Sequence, residues 1–452
     1  MKHPTLIVTL VASSVLLPAL VGWSSVEAAR TLTIEEARKL ALEFNRDYLQ
    51  SKEGVRIADA NVTMARAGAF PDVRFGASYN RNFKIPSFFV QMTNEDGETE
   101  SMEFKTGFKN NYGANLSLVQ PLWQGGKVFT AYSIARDFRK YSLAVQSQVS
   151  ATVAYNSDFL FSDALLQRSR LDVLTKSFEA ASENLSVVEK QFSQGLVSEF
   201  ELLRARVEKS NLEPQILRAE SDQKLADKRL QSFLGINLDE EIQLIEEPIN
   251  PAVANLPPLG EMVQQALEQR PEMQQRVYER DMRRKAIKIA QSDYWPSLDA
   301  VAGYGWQSQS DRLTLSENIS RSWTAGLTLS MPIFQGGRTR GAVSQAVAEH
   351  GQALLAVEQT RDNIRLEVEQ AYDRLLQAER SLETQQNTIA MAEEGLRIAN
   401  LRYQSGVGTL LEVLSAQAAL TQTREILAEA TFAYRTAMAG LKLATTIDVD
   451  NL

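Results

Sequence analysis

The chain has 452 residues and a formal net charge of −8, which argues against nucleic-acid binding through a basic surface. It contains no cysteine, which excludes disulfides, thiolate metal sites, a cysteine nucleophile and a lipidated amino-terminal cysteine, and suits an oxidising compartment. His3 and His350 are the only histidines.

The amino terminus reads as a secretory signal over residues 1–28. Lys2 supplies the positive end, Leu6 to Val21 the apolar stretch, and Val26-Glu27-Ala28 the small residues at a cleavage site. The apolar run spans 16 residues, broken by Pro18 and two serines, and is short for a transmembrane helix. No later segment reaches 18 unbroken apolar residues, so a mature chain that crosses a membrane does so as β-strands.

A first repeat is expected over residues 29–235. Thr31 to Ala37 reads as the opening of a helix, with Thr33 and Glu36 in a capping-box pattern. A second helix, Glu53 to Arg66, stops before Phe70-Pro71. From Asp72 the period becomes two: Val73, Phe75, Ala77 and Tyr79 point one way, Arg74, Gly76, Ser78 and Asn80 the other, giving a strand over 72–81. Asn82 to Gly107, polar and acidic around Asn94-Glu95-Asp96-Gly97, reads as a long loop. A second strand over 111–120 leads to Pro121-Leu122-Trp123-Gln124-Gly125-Gly126. Proline suits a strand end, and paired glycines supply the backbone angles that turn a strand directly into a helix, so this stretch is a hinge. Residues 127–194 hold no proline or glycine and predict a helix on the order of 100 Å long. Gly195-Leu196-Val197-Ser198 turns the chain into a return helix over 198–234, in which Pro214 predicts a kink or break. Residues 236–258, acidic and holding four prolines, read as a linker.

The second repeat, 259–443, follows the same plan: short helices, Trp295-Pro296, strands over 297–307 and 322–331, a hinge at Pro332-Ile333-Phe334-Gln335-Gly336-Gly337, a long helix 338–405, the turn Gly406-Val407-Gly408-Thr409 and a return helix 409–443 before a tail 444–452. Pro121 to Pro332 is 211 positions, and so is Gly195 to Gly406, whereas Pro71 to Pro296 is 225. A constant offset across each long helix predicts equal helices; the excess of 14, from 225 minus 211, lengthens the connection between the first pair of strands. Heptads such as Val368, Leu375, Leu382, Ile389, Leu396 and Tyr403 predict supercoiled packing of the long helices, a pattern that an ordinary two-helix coiled coil shares.

Each strand has the length of a tilted membrane-spanning strand, apolar on one face and small or polar on the other. Phe70, Trp123, Trp295 and Phe334 fall at the helix-side strand ends, as an aromatic girdle at one membrane edge would. Four strands cannot close alone and open edges cannot face lipid, so insertion requires several chains sharing one barrel. A soluble, half-buried sheet alternates in the same way.

The signal, the duplicated strand–Pro–x–Trp/Phe–Gln–Gly–Gly–helix hinges and the paired glycine turns resemble the TolC-type outer membrane efflux protein family over essentially the whole mature chain. The resemblance implies an α+β membrane protein. In it a homotrimer shares a twelve-stranded transmembrane β-barrel in outer-membrane lipid, four strands per chain, continued by a periplasmic α-helical coiled-coil barrel. It implies a passive exit duct in the outer membrane of a Gram-negative bacterium, docked to a periplasmic adaptor and an inner-membrane pump of RND, ABC or MFS type. The cargo would be drugs, metabolites, metal ions or a type I secreted protein. By the same resemblance, Gly195, Leu196, Val197, Ser198, Gly406, Val407, Gly408 and Thr409 form the adaptor-docking tips. Glu412, Ser415, Gly408 and Glu201 stand at the tunnel entrance. Glu412 matches an acidic ring, Ser415 replaces its second acidic position, and Gly408 replaces an arginine that locks the mouth. The rival reading is a soluble periplasmic coiled-coil scaffold without a pore.

Gly125-Gly126-Lys127-Val128 lacks the rest of a phosphate loop, and no nucleophile–base constellation is visible. No enzyme activity, metal or cofactor is expected.

Overall fold

In a computed structural model the described residues are 30–93, 99–246, 248–249, 256–314 and 319–446. The expected signal, the Asn94-Glu95-Asp96-Gly97 tip and tail residues 447–452 lie outside them.

The chain opens with a short strand, β1 (Arg30–Leu32), then α1 (Ile34–Phe44) and α2 (Arg46–Ala67). Thr33 Oγ1 accepts from Glu36 N–H at 3.2 Å while Glu36 Oε2 accepts from Thr33 N–H at 3.0 Å, so the capping box starts the helix at Ile34. Strand β2 (Asp72–Arg81) is followed by β3 (Ser87–Thr93) and β4 (Thr99–Lys105). These two form an antiparallel ribbon where the sequence reading placed a loop. Strand β5 (Asn110–Gln124) leads into α3 (Lys127–Ser193), α4 (Glu199–Leu234) and β6 (Ile242–Leu244). The second half holds α5 (Leu259–Gln269), α6 (Pro271–Ser292), β7 (Ser297–Ser310), β8 (Ser320–Ser330), α7 (Arg338–Gln404) and α8 (Leu410–Thr445). Helices α3 and α7 each have 67 residues, and α4 and α8 each have 36.

Three further expectations are corrected. β6 lies inside the expected linker and pairs in parallel with β1, where the reading had a helix opening. Strand β5 does not stop before Pro121; it continues to Gln124 across a bulge between Pro121 and Trp123, a place where a missing ladder donor is tolerated. Helix α4 is unbroken through Pro214. That proline faces solvent, where water can satisfy the carbonyl it leaves bare, and Gln215 Nε2 donates to Asn211 O at 2.9 Å nearby.

The core is a series of patches along the helices. One joins β1, α1, α3, α4 and β6 around Leu32, Ala37, Phe161, Ala164 and Leu230. Another joins α5 to α8 around Met262, Ala266, Val368, Leu375 and Leu441. Each is tied by an ionic strap to a long helix. Arg38 donates two bonds to buried Asp158, at 2.6 and 2.8 Å, and buried Arg270 donates to Glu367 at 2.6 Å and Glu272 at 3.2 Å.

Candidate functional site

The four-stranded sheet, in the order β2-β5-β7-β8, has two unlike faces. In register, Phe75, Leu116, Tyr304 and Trp323 form one row, and Val73, Leu118, Ala302 and Ala325 the next. The opposite face carries the rows Arg74, Ser117, Gly303, Thr324 and Ser78, Gly113, Gln307, Ser320. A soluble antiparallel sheet packs its apolar face on a core. Here Phe75, Leu116, Trp323, Leu327 and Leu329 are exposed, and every residue of β8 is bare. β2 and β8 are edges, each with one row of backbone groups unpaired among the described residues. Among those residues no helix is long and apolar enough to cross a membrane.

At one end the sheet turns into helix. Pro71 and Pro296 stand directly before β2 and β7, Pro121 sits at the β5 bulge, and Pro332 lies two residues past β8. Gly125 and Gly126 (φ 59° and 79°) and Gly336 and Gly337 (φ 58° and 85°) are left-handed, a conformation that costs any other residue about 1–2 kcal/mol. Phe70, Trp123, Trp295 and Phe334 are all exposed at this end.

At the far end the two turns form one unit. Helix α3 closes with Gly195 N–H donating to Phe192 O and Leu196 N–H to Gln191 O, both at 2.9 Å. Ser198 then caps α4, exchanging hydrogen bonds of 3.3 Å with Glu201. Helix α7 closes with Val407 and Gly408 N–H both donating to Arg402 O, at 3.1 and 2.9 Å, and Thr409 Oγ1 accepts from Glu412 N–H at 3.3 Å. Val188, Leu202, Ala205, Leu410 and Leu414 bury one another between the turns, with Val197 and Tyr403 packed on them. Tyr403 OH lies 2.8 Å from Gln191 Oε1 and donates to it, joining α7 to α3. Burial first, then the carboxylate of Glu201, raises the Tyr403 phenol above its ordinary 10.0, so it stays a neutral donor. Leu196 and Val407 project outward, 70% and 73% exposed.

Glu412 is opposed by Arg402, whose Nε lies 3.1 Å from Glu412 Oε2. The sequence reading missed this cation because it acts across the turn, outside helical spacing. Ser415 is exposed one turn further along α8. A Cβ at Gly408 would lie 2.8 Å from Arg402 Cβ and 2.9 Å from Tyr403 N, so an arginine there is incompatible with this turn. Gln191 and Tyr403 were likewise not singled out as site residues; their contact joins two helices far apart in sequence.

A family model described as Outer membrane efflux protein matches residues 37–236 and 262–446. The chain belongs to the outer membrane efflux protein family. It is therefore an outer-membrane exit duct of a tripartite export system, with a periplasmic extension, and the soluble scaffold is set aside. It is 23% identical over 406 residues to Nodulation protein T of Rhizobium leguminosarum bv. trifolii, covering 88% of this chain and 82% of that protein. It is 22% identical over 436 residues to the alkaline protease secretion protein AprF of Pseudomonas aeruginosa, covering 92% and 85%. The crystal structure of CusC superposes with a TM-score of 0.74 over 91% of both chains at 21% identity, a likeness of fold.

Proposed function

We propose that three copies of this efflux protein close one twelve-stranded barrel, and that their helices continue it as a water-filled periplasmic duct. The observation that carries this is the two-faced sheet with an uncovered apolar side and two open edges. In lipid such edges must pair, and the available partner for β8 is β2 of a neighbouring copy. The internal offsets supply the register. Ser117 pairs with Gly303 inside the chain. Advancing Ser117 by 211 gives Thr328, and moving Gly303 back by 225 gives Ser78, so Thr328 should face Ser78 of the next copy. The exposed aromatic residues at the hinges then form the girdle, and the polar row faces water.

The energy for export comes from elsewhere, so the duct is passive. The exposed tips at Leu196 and Val407 suit docking to a periplasmic adaptor, which couples the duct to an inner-membrane pump. At the entrance, Glu412 from three chains forms a ring whose charge Arg402 partly offsets. The cargo is a small molecule, a metal ion or a secreted protein. Relatives named for alkaline protease secretion and for cobalt-zinc-cadmium resistance show how widely it varies within the family.

The test is reconstitution. The purified protein is expected to run as a heat-resistant trimer and to give discrete single-channel currents. Thr328→Cys with Ser78→Cys, in a chain with no other cysteine, should cross-link copies under oxidation. A monomer that conducts nothing would reject the reading.

A further inference from the structure

The ribbon β3–β4 is amphipathic. Its register puts Phe88, Val90 and Met92 on the same face as Met102 and Phe104, with Glu100 at the register position opposite Met92 and with Phe88 and Phe104 stacked at 5.8 Å between ring centroids. Ser87, Gln91, Ser101, Glu103 and Lys105 lie on the other face, together with Phe89. Phe88, Met92, Met102 and Phe104 are exposed, and a two-stranded ribbon is at best marginally stable in water without cover for its apolar side.

The membrane is a poor source of that cover. Between the sheet and the ribbon lies a polar collar. Asn82 N–H donates to Lys109 O at 2.7 Å, Lys109 N–H to Asp311 Oδ1 at 3.2 Å, and Asn110 Nδ2 to Arg312 O at 2.9 Å. The ribbon begins beyond this collar, at the end of the sheet opposite the hinges. It also grows from β2, the edge on which a neighbouring copy must sit. The matching connection in the second half is 14 residues shorter (225 minus 211), so the neighbour's β7–β8 side leaves room beside each ribbon.

We infer that the occupant is a second copy: three ribbons lean together over the outer mouth, apolar face to apolar face, and form a hydrophobic constriction at the external end of the duct. This rests on the trimeric reading above. An amphipathic element repeated around an axis buries its apolar side on that axis, and an apolar constriction resists the passage of ions by dewetting. The duct then has a barrier at its outer end that is distinct in chemistry from the charged entrance at its inner end.

The absence of native cysteine makes the test direct. Met102→Cys and Ser101→Cys lie side by side on opposite faces of the ribbon. On oxidation of intact outer membranes, Met102→Cys should give covalent dimers at least fivefold more efficiently than Ser101→Cys. In bilayers, Phe88→Ser with Phe104→Ser should raise conductance at least twofold while the heat-resistant trimer persists. Equal cross-linking at both positions in an intact trimer would overturn the lid and leave the duct standing. So would quenching of a fluorophore on Met102→Cys by nitroxide lipids, which would hand the face to lipid. A protein that forms no trimer at all would end both proposals.

Discussion

The two hinges share a sequence pattern and nearly the same backbone angles, yet their surroundings differ. At the first, a Cβ on Gly125 would meet Ser292 O at 2.7 Å and Trp295 Cβ at 3.1 Å, because β5 is an inner strand with the α6–β7 junction packed on it. At the second, no described residue lies within 4 Å of such a Cβ on Gly336, and Ile333 and Phe334 are 95% and 88% exposed. Position in the sheet accounts for the difference: β8 is an edge. The second hinge has the chemistry of a packed junction and lacks a neighbour within its own chain. The far turns differ as well. Glu201 closes a capping box on Ser198, whereas Glu412, 211 positions on, turns to Arg402.

The largest expected effect tests the hinges. Gly125→Ala forces a left-handed alanine against a carbonyl, and should cost more than about 3 kcal/mol and prevent folding. Gly336→Ala carries only the backbone strain of about 1–2 kcal/mol in the single chain. It should therefore retain helix by circular dichroism but, in the proposed trimer, where a neighbouring copy would fill the same space, lose heat resistance. Normal trimers from Gly336→Ala would break the correspondence between the hinges.

The straps come next. Arg38→Ala removes two charge-assisted hydrogen bonds from the buried Asp158 carboxylate and should cost about 1.5–3 kcal/mol in denaturant titrations. Arg270→Ala leaves two carboxylates that reach water more readily, their side chains 25% and 54% exposed, and should cost less than half as much. Equal losses would show that the two straps carry their charges alike.

A smaller effect is expected at Tyr403, which stands 211 positions after Phe192. Tyr403→Phe removes one hydrogen bond and should cost about 1 kcal/mol. The sign of the pH effect follows from its raised phenol. Stability is fully present below the ordinary pKa of 10.0 and is lost as pH rises from there through the folded-state value, because only the unfolded chain ionises early. The phenylalanine variant should lack that alkaline loss. The smallest effect belongs to the exposed Arg402–Glu412 pair. Arg402→Gln should change stability by less than about 1 kcal/mol; under the proposed entrance ring it should also increase the cation preference of reconstituted channels, since Glu412 loses its counter-charge.

What the sequence disclosed was what repeats locally. The helix from Lys127, the capping box at Thr33, the turn from Gly195 to Ser198 and the alternation from Val73 to Tyr79 each depend on residues within one or two turns of each other. The ribbon was hidden because Phe89 interrupts the apolar–polar alternation of Phe88, Val90 and Met92, and the surrounding composition is acidic. The pairing of Arg30–Leu32 with Ile242–Leu244 joins two three-residue stretches some two hundred positions apart, too short to announce themselves by periodicity. At the far end, the glycines of both turns could be read, but Arg402 and Gln191 could not. Their partners are fixed by how the turns fold back and by which helices lie side by side.

The equal lengths of α3 and α7, 67 residues each, impose a rule on how such a protein can change. Both helices start at a glycine pair beside the sheet and finish in the same cluster of Val188, Leu202 and Leu410. An insertion in one alone would put its turn out of step with the other and empty that cluster. Reach into the periplasm can therefore be lengthened or shortened only in matched increments, in both descending helices and in the helices that return from them. The length of the helical extension is set as a single shared dimension, written twice into one chain.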